Sequence, residues 1–242
     1  MSDFAPFPET RWTAIRALQS DDAESRKLAW DTVSRLYWHP VRSYIRAKWK
    51  NDEHGANDAT QSFFEHVFEQ DTLAKYDAER ARFRGFLKMC LDRFLINEYK
   101  AQQAQKRGGG RTETLEQAGP DGSPLDPADP DSLDALFDQE WRRSLFEAAV
   151  QDVDQLATTD LTRLQFRVFL RYDIERGSAD SLTYNDLARE FGLTVTTVTN
   201  YLHATRTKVR LALLERLRSI TATETEYLEE ARALFGDRLR SL

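Results

Sequence analysis

The stretch TYNDLAREFGLTVTTV, residues 183–198, decides the fold of this chain of 242 residues. Thr183 can cap a helix, with Asp186 three residues later as a capping-box partner. Gly192 supplies the positive φ that ends this helix, and Thr194 can cap a second one. Small Ala188 lets the two helices cross closely, so the stretch predicts a helix-turn-helix. Its buried apolar set is Leu187, Phe191, Leu193, Val198 and Tyr201.

A helix-turn-helix of this kind places the N-terminal face of its second helix in the major groove of DNA. The residues expected to face base edges are Thr196, Thr197, Asn200 and His203. Those expected to contact phosphates are Arg206, Lys208 and Arg210. A helical hairpin with no role on DNA would have the same pattern. Taken alone, the motif therefore predicts no more than DNA binding.

The rest of the chain predicts an all-α fold of two small helical domains joined by an acidic flexible linker. Apolar residues recur at helical spacing on both sides of a segment rich in glycine and proline, and no sustained alternation indicates a strand. The predicted boundaries are an N-terminal helical extension at 1–29, a first domain at 30–111, the linker at 112–138, a second domain at 139–218 with its helix-turn-helix at 183–203, and a C-terminal helical extension at 219–242.

Charge is strongly segregated along the chain. The formal net charge of −6 argues against a nucleic-acid partner, but residues 80–111 contain nine basic residues against two acidic ones. Residues 112–140 then contain nine acidic residues and no basic one, and residues 201–218 are basic again. The local charges favour binding to nucleic acid, and the acidic linker could lie over the basic block and compete with DNA.

Several functional classes lack support in the sequence. Cys90 is the only cysteine and the four histidines share no metal-ligand spacing, so we expect no metal and no cofactor. The segment Met1 to Glu9 does not resemble a leader, and no apolar run is long enough to span a bilayer, which predicts a soluble cytoplasmic protein. An enzyme acting on nucleic acid would need paired carboxylates or a metal triad, whereas the acids lie mostly in the predicted linker. We therefore expect no enzymatic activity.

Four ordered motifs resemble those of the extracytoplasmic-function sigma factors, which retain only the second and fourth domains of larger sigma factors. LYWHPVRSYI (36–45) looks like the opening helix of the second domain, and DATQSFF (58–64) is similar to the helix that docks the polymerase clamp. YDAERARFRGFL (76–87) is similar to the segment that engages and melts the promoter near minus ten. The fourth motif is the helix-turn-helix. TRWT (10–13) and AQKRGGG (104–110) further resemble a subgroup from large-genome bacteria such as planctomycetes.

This resemblance implies promoter recognition without catalysis. The implied partners are core RNA polymerase, through its β′ clamp and β flap, and promoter DNA at the minus-ten and minus-thirty-five elements. The residues implied in binding core polymerase are Asp58, Thr60, Gln61, Phe64 and Glu65. Those implied at the minus-ten element are Tyr76, Arg80, Arg82, Arg84, Lys88, Arg93, Asn97, Lys100 and Gln103.

Physical chemistry supports these roles independently of the resemblance. Promoter melting needs cations for phosphates and flat surfaces for unstacked bases, and this segment interleaves both. The helical period places Phe83, Phe86, Leu87 and Phe94 on one buried face. Exposure is therefore expected of Tyr76 and Tyr99.

The chain departs from the family pattern at two places. Gly55-Ala56-Asn57 stands where relatives often carry acids, and Ser62 replaces the glutamate of the docking signature. A phosphate on Thr60 or Ser62 would restore negative charge, so a kinase, like an anti-sigma factor, is a possible partner. The recognition helix has Thr199, Asn200 and Tyr201 where relatives often have lysine or arginine, which leaves the promoter sequence unpredictable by analogy.

The tail beyond Ile220 is an addition to the minimal pattern. Thr223 with Glu226 predicts a helix start, followed by an apolar stripe of Tyr227, Leu228, Ala231, Leu234 and Phe235. This helix is expected to cap the C-terminal bundle; alternatively it binds a partner or holds the two domains closed against DNA. For the whole chain the rival interpretation is a helix-turn-helix regulator that does not bind core polymerase, although it leaves the first domain unexplained.

Overall fold

The computed structural model describes residues 13–49, 52–108, 130–175 and 182–236, and within these ranges the chain is all-α, as predicted. No strand occurs in them, and none of their helices combines the length and hydropathy needed to cross a membrane. The helices are α1 (Ala14–Ala17), α2 (Ala23–Trp49), α3 (Glu53–Glu69), α4 (Phe83–Gly108), α5 (Pro130–Leu156), α6 (Asp160–Phe169), α7 (Tyr184–Phe191), α8 (Val195–Ser219) and α9 (Glu224–Phe235). Short 3₁₀ and π-helical segments follow α3 and α6 at Thr72–Lys75 and Leu170–Ile174.

The chain forms two compact units. The first unit comprises Met1–Ser144 with Arg218–Leu242, and the second comprises Leu145–Leu217. The divisions therefore fall inside α5 and inside α8.

The core of the first unit is aromatic. Phe83, Leu87 and Phe94 share the buried face of α4, as the helical period predicted, and Phe86 is half-buried. The ring centroids of Phe63 in α3 and Phe94 lie 5.6 Å apart in an edge-to-face contact. Such edge-to-face pairs fix the orientation of the rings and stabilise the core beyond the effect of the area that they bury.

The predicted C-terminal boundary of the linker, residue 138, is wrong. Residues 112–129 lie outside the described residues, but α5 begins at Pro130, a residue type suited to the first helical position. Leu133, Phe137 and Trp141 follow at intervals of four residues and are buried in the first unit. Burial of this apolar stripe outweighs the acidic, proline-rich composition that suggested a flexible connector.

The second unit is built around the helix-turn-helix. Leu187 of α7 and Val198 of α8 are fully buried in a core that also contains Phe166, Phe169 and Leu202. The remaining members of the predicted apolar set are partly buried and pack against this core: Phe191, Leu193 and Tyr201. The apolar set predicted from sequence is confirmed.

The C-terminal helix forms where it was predicted but belongs to a different unit. The Thr223 hydroxyl accepts a hydrogen bond from the Glu226 amide at 3.2 Å, which confirms the predicted helix start. α9 is part of the first unit. The prediction that it caps the C-terminal bundle is therefore wrong. Buried charged side chains, described below, account for the difference.

Candidate nucleic-acid interface

Local hydrogen bonds fix the geometry of the helix-turn-helix. The Thr183 hydroxyl accepts from the Asp186 amide at 3.2 Å, and the Asp186 carboxylate accepts from the Thr183 amide at 3.0 Å. Gly192 has a φ of +65°, and the Leu193 amide donates to the Ala188 carbonyl at 2.8 Å across the turn. The carboxylate of Asp186 is held at the start of α7, and hydrogen bonds from Thr183 lower its pKa. The predicted caps and turn are confirmed.

The exposed N-terminal face of α8 carries three of the four residues expected to face bases. Thr196, Asn200 and His203 are exposed and follow one another at helical intervals, so they share one side of the helix. Thr197 is half-buried instead, and its amide donates to the Thr194 hydroxyl at 3.1 Å. Thr197 therefore completes the helix cap, while the other three form a polar surface of hydroxyl, amide and imidazole groups.

Two of the predicted phosphate ligands of α8, Arg206 and Lys208, have partners within the second unit. The Arg206 guanidinium donates to both carboxylate oxygens of Asp173, at 2.8 and 2.9 Å. These hydrogen bonds raise the pKa of Arg206. Lys208 Nζ lies 3.4 Å from the Gln165 side-chain oxygen, and Arg210 is half-buried. Arg206 would have to exchange or share its Asp173 contact to bind a phosphate.

A second polar surface lies on α4 in the first unit, and we call it the α4 polar face. It consists of Arg93, Asn97 and Lys100, which are exposed and spaced along one side of the helix. Gln103, also predicted here, is half-buried, and its side-chain amide donates to the Tyr99 hydroxyl at 3.0 Å. The face combines two cations with an amide that has hydrogen-bonding groups suited to a base edge.

The basic residues at and before the start of α4 are held by carboxylates. Arg84 is only 14% exposed; it lies 3.2 Å from Glu230 and 3.3 Å from Asp138, and its guanidinium lies over the Trp141 ring at 4.3 Å. Arg82 lies 2.6 Å from Glu229. These two predicted minus-ten residues are thus engaged by acids of the same chain.

Lys88 and Arg80 differ in how firmly they are held. Lys88 lies 2.7 Å from Asp134 and 3.3 Å from Asp92. Burial works against its charge, but the hydrogen bonds and charges of both acids outweigh burial and raise the pKa of Lys88. Arg80 is 86% exposed and pairs with Asp77, three residues earlier in the chain, at 3.0 Å. Two of the carboxylates that pair with the cations of α4, Asp134 with Lys88 and Asp138 with Arg84, come from the stretch that was predicted to be a linker.

The expected exposure of Tyr76 is wrong. Its side chain is buried, with ring centroids 5.2 Å from Phe83 and 5.4 Å from Phe86. Its hydroxyl donates to the Ala81 carbonyl at 2.9 Å, and burial raises the pKa of that hydroxyl. The hydroxyl finds a backbone partner, which removes the cost of burying it. Tyr99 is half-buried.

An aromatic groove between α2 and α3 was missed by sequence reasoning. Its walls are formed by Trp30, Trp38, Phe64 and Phe68, and it encloses about 510 Å³. The Trp38 and Phe64 rings are stacked with centroids 5.7 Å apart, and Phe68 is 59% exposed. The spacing of Trp30 and Trp38 by two helical turns, and of Phe64 and Phe68 by one, could have indicated this surface.

The five residues assigned to core-polymerase binding all lie on α3, which forms one wall of the groove. Gln61, Phe64 and Glu65 line it, and the Gln61 amide donates to Glu65 at 2.8 Å. Asp58 is exposed. Thr60 is fully buried, and its hydroxyl donates to the Ala56 carbonyl at 2.7 Å. A kinase could therefore reach Thr60 only after local unfolding, whereas Ser62 is exposed.

Comparisons with known proteins add no identification. No protein-family model matches the chain, and no curated protein matches it. Within the described ranges, no three histidine, cysteine, aspartate or glutamate side chains are grouped so that they could hold a metal ion. The candidate surfaces are therefore interpreted from their own geometry and chemistry.

Proposed function

We propose that this protein is a sigma factor of the extracytoplasmic-function type, which binds core RNA polymerase, recognises the minus-ten and minus-thirty-five elements and opens the promoter. One observation carries the proposal. The helix-turn-helix of the second unit coexists in one chain with a first unit that has both a polar, cationic helix face and an aromatic groove. A regulator that does not bind core polymerase would leave these two surfaces of the first unit unexplained.

Thr196, Asn200 and His203 are proposed to read the minus-thirty-five element. These exposed groups stand on the part of α8 that such motifs insert into the major groove. An asparagine amide can bond both N6 and N7 of adenine, and a good bidentate contact discriminates by about 1–3 kcal/mol. We expect Asn200→Ala to weaken binding to the cognate duplex by roughly 5- to 150-fold. Asn185→Ala, at an exposed position of α7, is the matched control.

The α4 polar face is proposed to bind the minus-ten element. Arg93 and Lys100 can neutralise phosphates, while Asn97 between them can bond a base. Arg93→Ala and Lys100→Ala should each reduce the slope of log affinity against log salt by about 1. Asn97→Ala should instead alter sequence preference and leave that slope unchanged.

The aromatic groove is proposed to receive the polymerase clamp. Aromatic residues are enriched at the centres of protein interfaces, and polar groups lie at their rims. The groove is bordered by Arg35, His39 and Glu65, which supply polar partners at its rim. Phe68→Ala should reduce co-purification with core polymerase. Leu28→Ala removes another exposed apolar side chain, 63% exposed, from outside the groove and should leave co-purification unchanged.

Reconstitution with sigma-free core polymerase tests the proposal as a whole. The protein and core are mixed with genomic DNA fragments, and the 5′ ends of transcripts are mapped. Defined start sites that depend on the protein are the expected result. Absence of both specific transcripts and association with core would contradict it. If specific DNA binding persisted in that case, the chain would instead be a stand-alone regulator.

A further inference from the structure

Five carboxylates cover the cations and the first backbone amide of α4, and we call these carboxylates the acidic cover. Its members come from two helices: Asp134 and Asp138 of α5, and Glu226, Glu229 and Glu230 of α9. All contacts of this cover lie within the first unit. The covered groups are Arg82, Arg84, Lys88 and the amide of Phe83. The α4 polar face lies farther along the same helix.

Glu226 makes the contact most like that of a bound phosphate. One of its carboxylate oxygens accepts a hydrogen bond from the Phe83 amide at 2.8 Å, and Phe83 is the first residue of α4. The other oxygen accepts from the Ala222 amide at 2.8 Å. The first amides of a helix have no partner inside it and carry partial positive charge, so they attract anions. Glu226 thus places a negative charge at the start of α4 from a position late in the chain.

Burial shows that α9 is firmly seated. Glu226, Tyr227, Glu230 and Ala231 are all buried in the first unit. One oxygen of Glu230 faces Arg84, whereas Oε2 is buried and has no hydrogen-bond partner among the described residues. Burial raises the pKa of this carboxyl, although Arg84 and Arg82 lie beside it. An incompletely satisfied buried carboxylate costs free energy, so the contact is not optimised for stability alone.

The outer part of the cover is weaker. Arg82 and Glu229 are 46% and 44% exposed, and exposed ion pairs contribute only about 0–1 kcal/mol. DNA phosphates carry the same charge as these carboxylates and bind the same guanidinium donors. A strand approaching α4 would therefore compete first for Arg82 and then for Arg84.

We propose that α9 is an intramolecular competitor of promoter DNA, whose carboxylates occupy the donors of Arg82, Arg84 and the start of α4 until DNA displaces them. This inference rests on the proposed function, because it assigns the covered cations to the minus-ten element. It makes α9 an inhibitory segment of the free protein. Displacement of α9 then accompanies promoter engagement.

Charge variants of the full chain test the competition. Glu229→Gln removes one pairing charge from an exposed position, and Glu24→Gln makes the same change in net charge at the exposed first turn of α2. Both are titrated at low salt with a short fluorescent single-stranded DNA of mixed sequence. Glu229→Gln should bind it roughly two- to fivefold more tightly than the parent protein, the fold-change that corresponds to one exposed ion pair. Glu24→Gln should change the DNA affinity only by the smaller effect of removing one negative charge outside the acidic cover.

Hydrogen exchange of the unmodified protein supplies a second readout, which a merely structural role of α9 would not move. If DNA and α9 exclude each other, saturating DNA must release α9, because the linkage between two competing ligands is reciprocal. Amides of Tyr227 to Ala231 should then exchange faster with DNA than without it. Equal protection in both states, together with unchanged affinity of Glu229→Gln, would overturn the inference.

Transcription with core polymerase distinguishes failure of the proposed competition from failure of the proposed function. Initiation by the parent protein, with no gain in DNA affinity for Glu229→Gln and no release of α9, would overturn the competition and leave the proposed function intact. No initiation by any variant and no DNA binding would overturn both. Initiation accompanied by tighter binding of Glu229→Gln and by release of α9 supports both.

Discussion

Replacing Phe137 with alanine should destabilise the first unit by about 3–5 kcal/mol, the usual cost of removing a buried aromatic ring. Phe137 is 1% exposed. Its ring centroid lies 6.5 Å from that of Tyr37 and 6.0 Å from that of Tyr44. Each such ring contact contributes about 0.5–1.5 kcal/mol beyond the area that it buries. The cost of the substitution lies in the upper part of the about 3–5 kcal/mol range if the surrounding side chains cannot collapse into the cavity. The residue lies in a stretch whose composition suggested a linker, so the cost measures whether the first part of α5 belongs to the folded first unit.

Tryptophan fluorescence gives a specific assay for this cost. Residues 145–217 contain no tryptophan, so the emission reports on the first unit. With a urea m-value of about 2 kcal/mol per M, the Phe137→Ala midpoint should fall by ~1.5–2.5 M. Phe68→Ala is the matched control, since its side chain is 59% exposed and its loss should shift the midpoint far less. Equal shifts for the two variants would refute the packing of α5 on the first unit.

Three further predictions concern turn, cap and charge. Gly192→Ala should lower the free energy of unfolding of the second unit by about 1 kcal/mol, because its φ of +65° strains a residue that has a Cβ. The cost comes from the backbone and not from a clash, since no atom lies within 4 Å of the added Cβ. Thermal unfolding followed by circular dichroism measures this cost, and an unchanged midpoint would contradict the prediction. Thr183→Ala should cost about 1 kcal/mol through loss of the α7 cap, whereas Thr183→Ser should retain the stability in urea titrations. Burial opposes ionisation of Asp92, but hydrogen bonds from Lys48 and Tyr44 and the charges of Lys48 and Lys88 lower its pKa. The stability it contributes is therefore present above pH ~4 and lost as the pH falls through the depressed pKa, so Asp92→Asn should flatten the acid limb of stability against pH; a limb as steep as the parent's would exclude the assignment.

The helix-turn-helix was predictable because its determinants are contiguous. Thr183, Asp186 and Gly192 act on neighbours within a few residues, and their caps and turn need no information from the rest of the chain. The buried face of α4 was predictable for the same reason, since the helical period sorts its residues. Local rules do well where local hydrogen bonds decide the conformation.

The elements that cover α4 were not predictable in the same way. Glu226 and Glu230 have the residue type and spacing of an exposed helix surface, yet both are buried because their partners, the Phe83 amide and the Arg84 guanidinium, lie 143 or more residues earlier in the chain. Leu133, Phe137 and Trp141 did carry a helical signal, but proline and like charge obscured it. Tyr76 was misjudged because its backbone acceptor, the Ala81 carbonyl, depends on the turn before α4.

The hydrogen bond from the Phe83 amide to Glu226 has a consequence for the synthesis of the chain. The two residues are 143 positions apart. At about 5–20 residues per second, roughly 7–30 s pass between the translation of α4 and that of Glu226. During this interval the start of α4 has no carboxylate from α9. Every nascent chain therefore passes through a stage in which Arg82 and Arg84 lack their α9 partners, and it acquires the complete acidic cover only after α9 is made.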